Sequence, residues 1–179
     1  MKRFDVCYPL VRKEEGGYSD RVNDRGGKTN FGVTQGRYDE FNDKCGFPRK
    51  PVVEIQEYEV KAIYMAAWLD AGCDRLPEGL DLLVFDVAIN SGPAKSIVLL
   101  QRALAMEKCH HTGYFGPITA KWLEVSDIEG LKMKYLRERL KFYNNLVRSD
   151  PTQADNINGW LNRLEHMAAH VGMKETDYA

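Results

Sequence analysis

The chain has 179 residues, 44% of them apolar and 28% charged, which is enough to bury a sizeable core as one domain or two small ones. This composition excludes a disordered chain and a fibrous repeat, and a net charge of −1 gives no global pull towards nucleic acid. Cys7, Cys45, Cys73 and Cys109 are scattered with no C-x-x-C pair, so a zinc or thioredoxin-like motif is not indicated and free thiols are expected.

The first predicted element is a short helix whose apolar side carries Phe4, Val6, Tyr8, Leu10 and Val11. Gly16-Gly17 is expected to end it through a left-handed cap, which places Glu15 at the negative, carbonyl end of the helix. Glu14 lies beside it. Both neighbours disfavour an ionised carboxylate, so the Glu15 carboxyl is expected to be pushed upward, as a general acid requires. Nine residues on, Asp24 sits beside Arg25, which favours its ionised form. Two carboxyls driven to opposite protonation states are the mark of an acid/base or acid/nucleophile pair. The Gly-, Asn- and Thr-rich stretch between Tyr18 and Val33 predicts a small β-hairpin or loop that brings Asp24 opposite Glu15. The plainer alternative is a solvated helix-end carboxylate and a turn-forming Asp.

The N-terminal apolar run is too short for the core of a signal peptide, so accumulation in the cytoplasm is expected. No stretch is long enough to span a bilayer. A short helix can open at Gly36, and Gly46 to Pro51 reads as a loop. From Val52 to Asp70 the apolar spacing is helical, with Tyr64 and Trp68 read as core residues rather than sugar-stacking ones. Leu80 begins a strongly apolar helix that runs to Asn90. Asp86 and Asn90 share one side of it and need partners or water. Either they form a buried pair that fixes the helix, or Asn90 faces the cleft near Glu15.

Gly92-Pro93 is the expected boundary between region 1–92 and region 93–179. Ile97, Leu100 and Leu104 define the next helix, followed by a Gly- and Pro-shaped turn from Cys109 to Thr119. His110 and His111 are adjacent and do not share a helix face, so no metal site is expected. Met133 to Val147 and Ile157 to Val171 give two further helices, the first ended by Asp150-Pro151 and the second capped by Asp155. Lys132, Lys134, Arg137, Arg139 and Lys141 read as a solvated charged face.

The run Glu15-Gly16-Gly17-Tyr18, the acid at Asp24 and the stretch from Gly26 to Gln35 (GGKTNFGVTQ) together resemble the N-terminal signature of glycosyl hydrolase family 108, the phage endolysins and bacterial muramidases of the Glu-Gly-Gly-Tyr motif. The Glu–Asp–Thr order is also similar to phage-type lysozymes. In those the Thr lies six residues after the Asp, a position held here by Asn30, with Thr29 one residue early. The pattern Ile63-Tyr64, Trp68, Leu76-Pro77, Phe85-Asp86 and Asn90-Ser91-Gly92 extends the likeness over the first half. Gly113-Tyr114-Phe115-Gly116-Pro117, after a helix with Leu100-Gln101 and Leu104, resembles a predicted peptidoglycan-binding module, and Gly159 to Arg163 also recurs near the end of the family.

The resemblance implies a mainly α, lysozyme-like fold with a small hairpin or loop after the first helix. It implies a peptidoglycan hydrolase that cleaves the β-1,4 bond between N-acetylmuramic acid and N-acetylglucosamine. Glu15 would be the general acid and Asp24 the base or stabilising carboxylate, with Tyr18, Thr29, Gln35 and Asn90 positioning sugar or water. No metal or organic cofactor is called for. The expected partner is bacterial peptidoglycan, with no nucleic acid, no stable membrane insertion and a monomeric state. The expected setting is a phage endolysin in the cytoplasm of the infected bacterial cell that reaches the wall through a holin pore. Two rivals stay open: a lytic transglycosylase that uses Glu15 alone, and a non-catalytic wall-binding module.

Overall fold

The architecture is built around one helix. α4 (Leu80–Ser91) is buried at every position from Leu80 to Ile89, apolar on most sides, with Asp81 and Asp86 buried among its apolar residues. In the computed structural model, which describes residues 2–18 and 27–179, helices from both halves of the chain pack onto it. From the first half come α1 (Arg3–Lys13) and α3 (Glu57–Asp70); from the second come α5 (Pro93–Ala103), α7 (Ile128–Ser149) and α8 (Ile157–His170). The mainly α expectation holds: α2 (Gln35–Cys45), α6 (Pro117–Glu124) and α9 (Glu175–Tyr178) bring the α-helices to nine among the described residues, beside one two-stranded sheet.

Phe4, Tyr64, Trp68 and Phe85 form an aromatic cluster where α1, α3 and α4 meet, with Trp68 and Phe85 edge to face at 5.2 Å. Tyr64 and Trp68 are core residues, as their spacing predicts. The core also continues across Gly92-Pro93, because Ile97, Leu100, Tyr135 and Leu164 are buried in the same cluster as Leu83 and Phe85.

The expected hairpin is present after α1. β1 (Thr29–Asn30) and β2 (Val33–Thr34) pair antiparallel, Thr29 opposite Thr34 and Asn30 opposite Val33. Phe31 and Gly32 make the turn with φ of 53° and 73°, the two left-handed residues of a tight hairpin turn. A phenylalanine in that conformation needs external support. Tyr64 Oη donates to its carbonyl at 3.0 Å, and the Arg12 guanidinium lies 4.2 Å over its ring.

Four local expectations are corrected. α1 ends at Lys13, and neither Gly16 nor Gly17 takes a left-handed conformation. Bonds across three residues, from Glu14 N to Val11 O at 3.2 Å and from Glu15 N to Arg12 O at 3.3 Å, close the last turn instead. The helix read from Val52 is a 3-10 turn (Val52–Glu54) followed by α3, whose start is fixed by Gln56 N donating to the Glu59 carboxylate at 2.9 Å. Asp155 does not cap α8. Asp150 instead caps the intervening 3-10 turn (Pro151–Asn156) by accepting from Thr152 N. The supposed solvated face of α7 includes Arg139, which is fully buried, and Lys132, which is nearly so.

Candidate active site at the Glu15 carboxylate

Glu15 follows the last turn of α1, and its side chain is 15% exposed. Two elements close on its carboxylate. Arg163 of α8 donates from Nη1 to Oε1 at 2.5 Å. On the other side lies the hairpin turn, where a Cβ added to Gly32 would stand 2.6 Å from Oε2. Gly32 is therefore required twice, for its positive φ and for the room it leaves the carboxylate. Glu14 turns to His166, whose Nδ1 is 3.2 Å from its carboxylate. The setting thus differs from the one expected. Beyond Glu14 and the helix end, which the sequence places next to Glu15, a guanidinium contributed from the far end of the chain faces it.

Behind Arg163 lies a buried ionic network. Its Nε and Nη2 donate to Asp86 Oδ1 at 2.9 and 2.7 Å, so one edge of the guanidinium grips α4 while Nη1 reaches Glu15. Asp86 has no exposed surface. Its other oxygen, Oδ2, is 2.5 Å from Arg139 Nη2, a contact of opposite charges whose angles fall short of a hydrogen bond. Arg139 Nε donates to Tyr143 Oη at 2.8 Å, and Tyr143 stacks on Trp160 of α8 at 5.3 Å. Burial alone would raise the Asp86 carboxyl, but Arg139 and Arg163 outweigh it and hold the group below its ordinary value. Arg163 is likewise buried, and Asp86 and Glu15 more than offset that burial, so its guanidinium is kept charged.

The other sequence candidates are placed as follows. Asp24 lies outside the described residues. Tyr18 is 47% exposed. Thr29 is half-buried on β1, with Oγ1 donating to Gly27 O at 3.1 Å. The Gln35 amide joins α2 to the 50–52 segment, donating to Asp39 Oδ1 and Lys50 O and accepting from Val52 N. Asn90 is at the exposed end of α4, where Oδ1 accepts from Ser91 Oγ at 3.0 Å and Tyr143 Oη at 3.5 Å. The polar side of α4 is thus real, and Asp86 rather than Asn90 is the member linked to Glu15. Asp86, Arg139, Arg163 and Gly32 were not singled out as site residues. The sequence signals for them are Asp86 on a largely apolar helix, demanding a partner, and the places of Gly32 and Arg163 inside the runs that carry the family resemblance.

Glu107, Cys109 and His110, on the turn after α5, bring three possible metal-ligand atoms within 4.8 Å of one another. Two surface depressions of about 270 and 510 Å³ flank α6, and Glu15 lines neither. No described helix is long and apolar enough to cross a membrane.

Residues 8–92 match the family model of glycosyl hydrolase 108, and residues 95–165 match a family described as a predicted peptidoglycan domain. No curated protein matches the sequence. The solved structure of Brucella abortus SagA is similar in fold, with a TM-score of 0.80 at 24% identity over 97% of this chain and 96% of that one. The carboxylate of the Glu-Gly-Gly-Tyr stretch lies inside the first match and Arg163 inside the second, so both families meet at Glu15. The chain thus joins a glycosyl hydrolase 108 region (8–92) to a predicted peptidoglycan domain (95–165), as a glycoside hydrolase that acts on peptidoglycan.

Proposed function

We propose that the protein is an N-acetylmuramidase that cleaves the β-1,4 bond between N-acetylmuramic acid and N-acetylglucosamine, with Glu15 as the general acid. The observation that carries this reading is the setting of Glu15. It is a mostly buried carboxyl within the glycosyl hydrolase 108 region, with Oε1 held by Arg163 and Oε2 against the hairpin turn. No hydrogen bond from the described residues reaches Oε2, which leaves that oxygen to carry a proton to the glycosidic oxygen while Oε1 keeps its bond to Arg163. As the leaving group departs, positive charge grows on the sugar, and Asp24 stabilises it or activates the attacking water. Tyr18 and Thr29, on either side of residues 19–26, are the closest candidates in sequence for holding sugar or water beside that step. The biological setting that goes with this reading is an endolysin that passes a holin pore to reach the wall.

The test is digestion of purified peptidoglycan by wild type, Glu15→Gln and Asp24→Asn, with the released muropeptides weighed by mass spectrometry. Products with a reducing muramic acid end, absent with Glu15→Gln, support the reading. Anhydro products with Asp24→Asn still active replace it with a lytic transglycosylase. No soluble products from folded wild type would leave a wall-binding protein.

A further inference from the structure

We propose that Arg163, contributed by the predicted peptidoglycan domain, is a positioning residue for Glu15, held in place by Asp86, so that the second region completes the active site of the first. This rests on the reading of Glu15 as the acid.

A guanidinium is planar, with its donors in a fixed fork. Arg163 commits one edge, Nε and Nη2, to Asp86 Oδ1, which leaves a single direction for Nη1, and that direction ends on Glu15 Oε1 at 2.5 Å. Asp86 is a firm anchor because it sits on the all-buried helix α4 with no exposed surface and is braced on its other oxygen by Arg139. Helix α8 itself is held to α7 three residues earlier, where Trp160 stacks on Tyr143 with the rings at 23°. Tyr143 also accepts the Arg139 Nε proton. The chain of contacts therefore runs from the core of α7 through Asp86 and Arg163 to the acid, without a flexible link.

An ion pair that served folding alone would need no third member. Asp86 and Arg139 already neutralise each other, and Arg163 adds a second cation whose balance is Glu15. A lysine in its place would present one point charge and could not hold both carboxylates in one plane. The same arithmetic makes the test feasible, since removing Arg163 leaves the buried Asp86–Arg139 pair intact and the fold should survive.

The experiment uses the full chain as wild type, Arg163→Ala, Arg163→Lys and Glu15→Gln. It measures kcat and KM for muropeptide release, retention on insoluble peptidoglycan, and thermal unfolding to confirm the fold. In Arg163→Ala, kcat should fall about a hundredfold, the scale of a misplaced catalytic group, with KM and retention within about twofold. Guanidinium ion at low millimolar concentration should restore part of the loss to Arg163→Ala, and Arg163→Lys should stay impaired. A folded Arg163→Ala with kcat within about threefold of wild type overturns the proposal, as does a loss confined to retention or KM. The two readings fail separately. An inactive wild type removes the muramidase reading, whereas an active wild type, an inactive Glu15→Gln and an active Arg163→Ala remove only the role of Arg163.

Discussion

Asp86→Asn is the substitution that tests the buried network most directly. It keeps the shape of the side chain and removes one negative charge from a position with no exposed surface. Arg139 and Arg163, with side chains 0% and 9% exposed, then face one neutral amide. Glu15 still balances Arg163, so one buried guanidinium is left uncompensated. Breaking a buried ion pair by removing one partner costs about 3–5 kcal/mol, set against about 5–15 kcal/mol for the stability of a whole domain. For a chain of this size that is a fall in Tm of about 6–20 °C. The pH dependence has a fixed sign. The Asp86 carboxyl lies below its ordinary value in the folded protein, despite its burial, because Arg139 and Arg163 favour the charged form. Its stabilisation is therefore complete above the unfolded value of about 3.9 and is lost as pH falls towards the folded one. Urea unfolding of wild type and Asp86→Asn should show the full gap at pH 7 and a narrowing gap below about pH 4. A gap under about 1 kcal/mol at pH 7, or one that stays constant into acid, would refute the reasoning.

Gly32→Ala forces a left-handed backbone on a residue with a Cβ, for about 1–2 kcal/mol, and drives that Cβ against Glu15 Oε2. Muropeptide release should fall at least tenfold while the protein stays folded by circular dichroism; unchanged activity would show that the hairpin does not set the acid. Gln35→Ala removes the amide that serves Asp39, Lys50 O and Val52 N, so urea denaturation should show a loss of about 1–3 kcal/mol. Of the four cysteines, Cys45 and Cys109 are exposed, whereas burial pushes the Cys7 thiol up to about 12 and Cys73 well above its ordinary value. A thiol titration should therefore count two reactive groups in the native protein and four after unfolding.

Much of the fold was legible because its causes are local. The strongly apolar run from Leu80 and the three- and four-residue apolar spacing from Met133 and from Ile157 are what a helix buries, and each lies in a helix. The hairpin was legible from its turn chemistry, although the αL role of Phe31 was not, because its support comes from Tyr64 and Arg12 in other elements. Gly16-Gly17 misled for a related reason: glycine permits a left-handed cap without requiring one, and the helix closed its last turn with backbone bonds before reaching the pair.

The candidate site divides along the same line. By itself the sequence pointed to Glu15, its motif, a resemblance to glycosyl hydrolase 108, and a polar residue at Asp86 in need of a partner. Only the tertiary structure decided what that partner is. Arg139 looked like one more cation on a basic helix face, and Arg163 like part of a family pattern near the end of the chain. Arg163 stands 77 residues from Asp86 and 148 from Glu15. A charge's neighbours are set by which helix faces pack together, and hydrophobic burial around α4 fixes that packing without regard to distance along the chain.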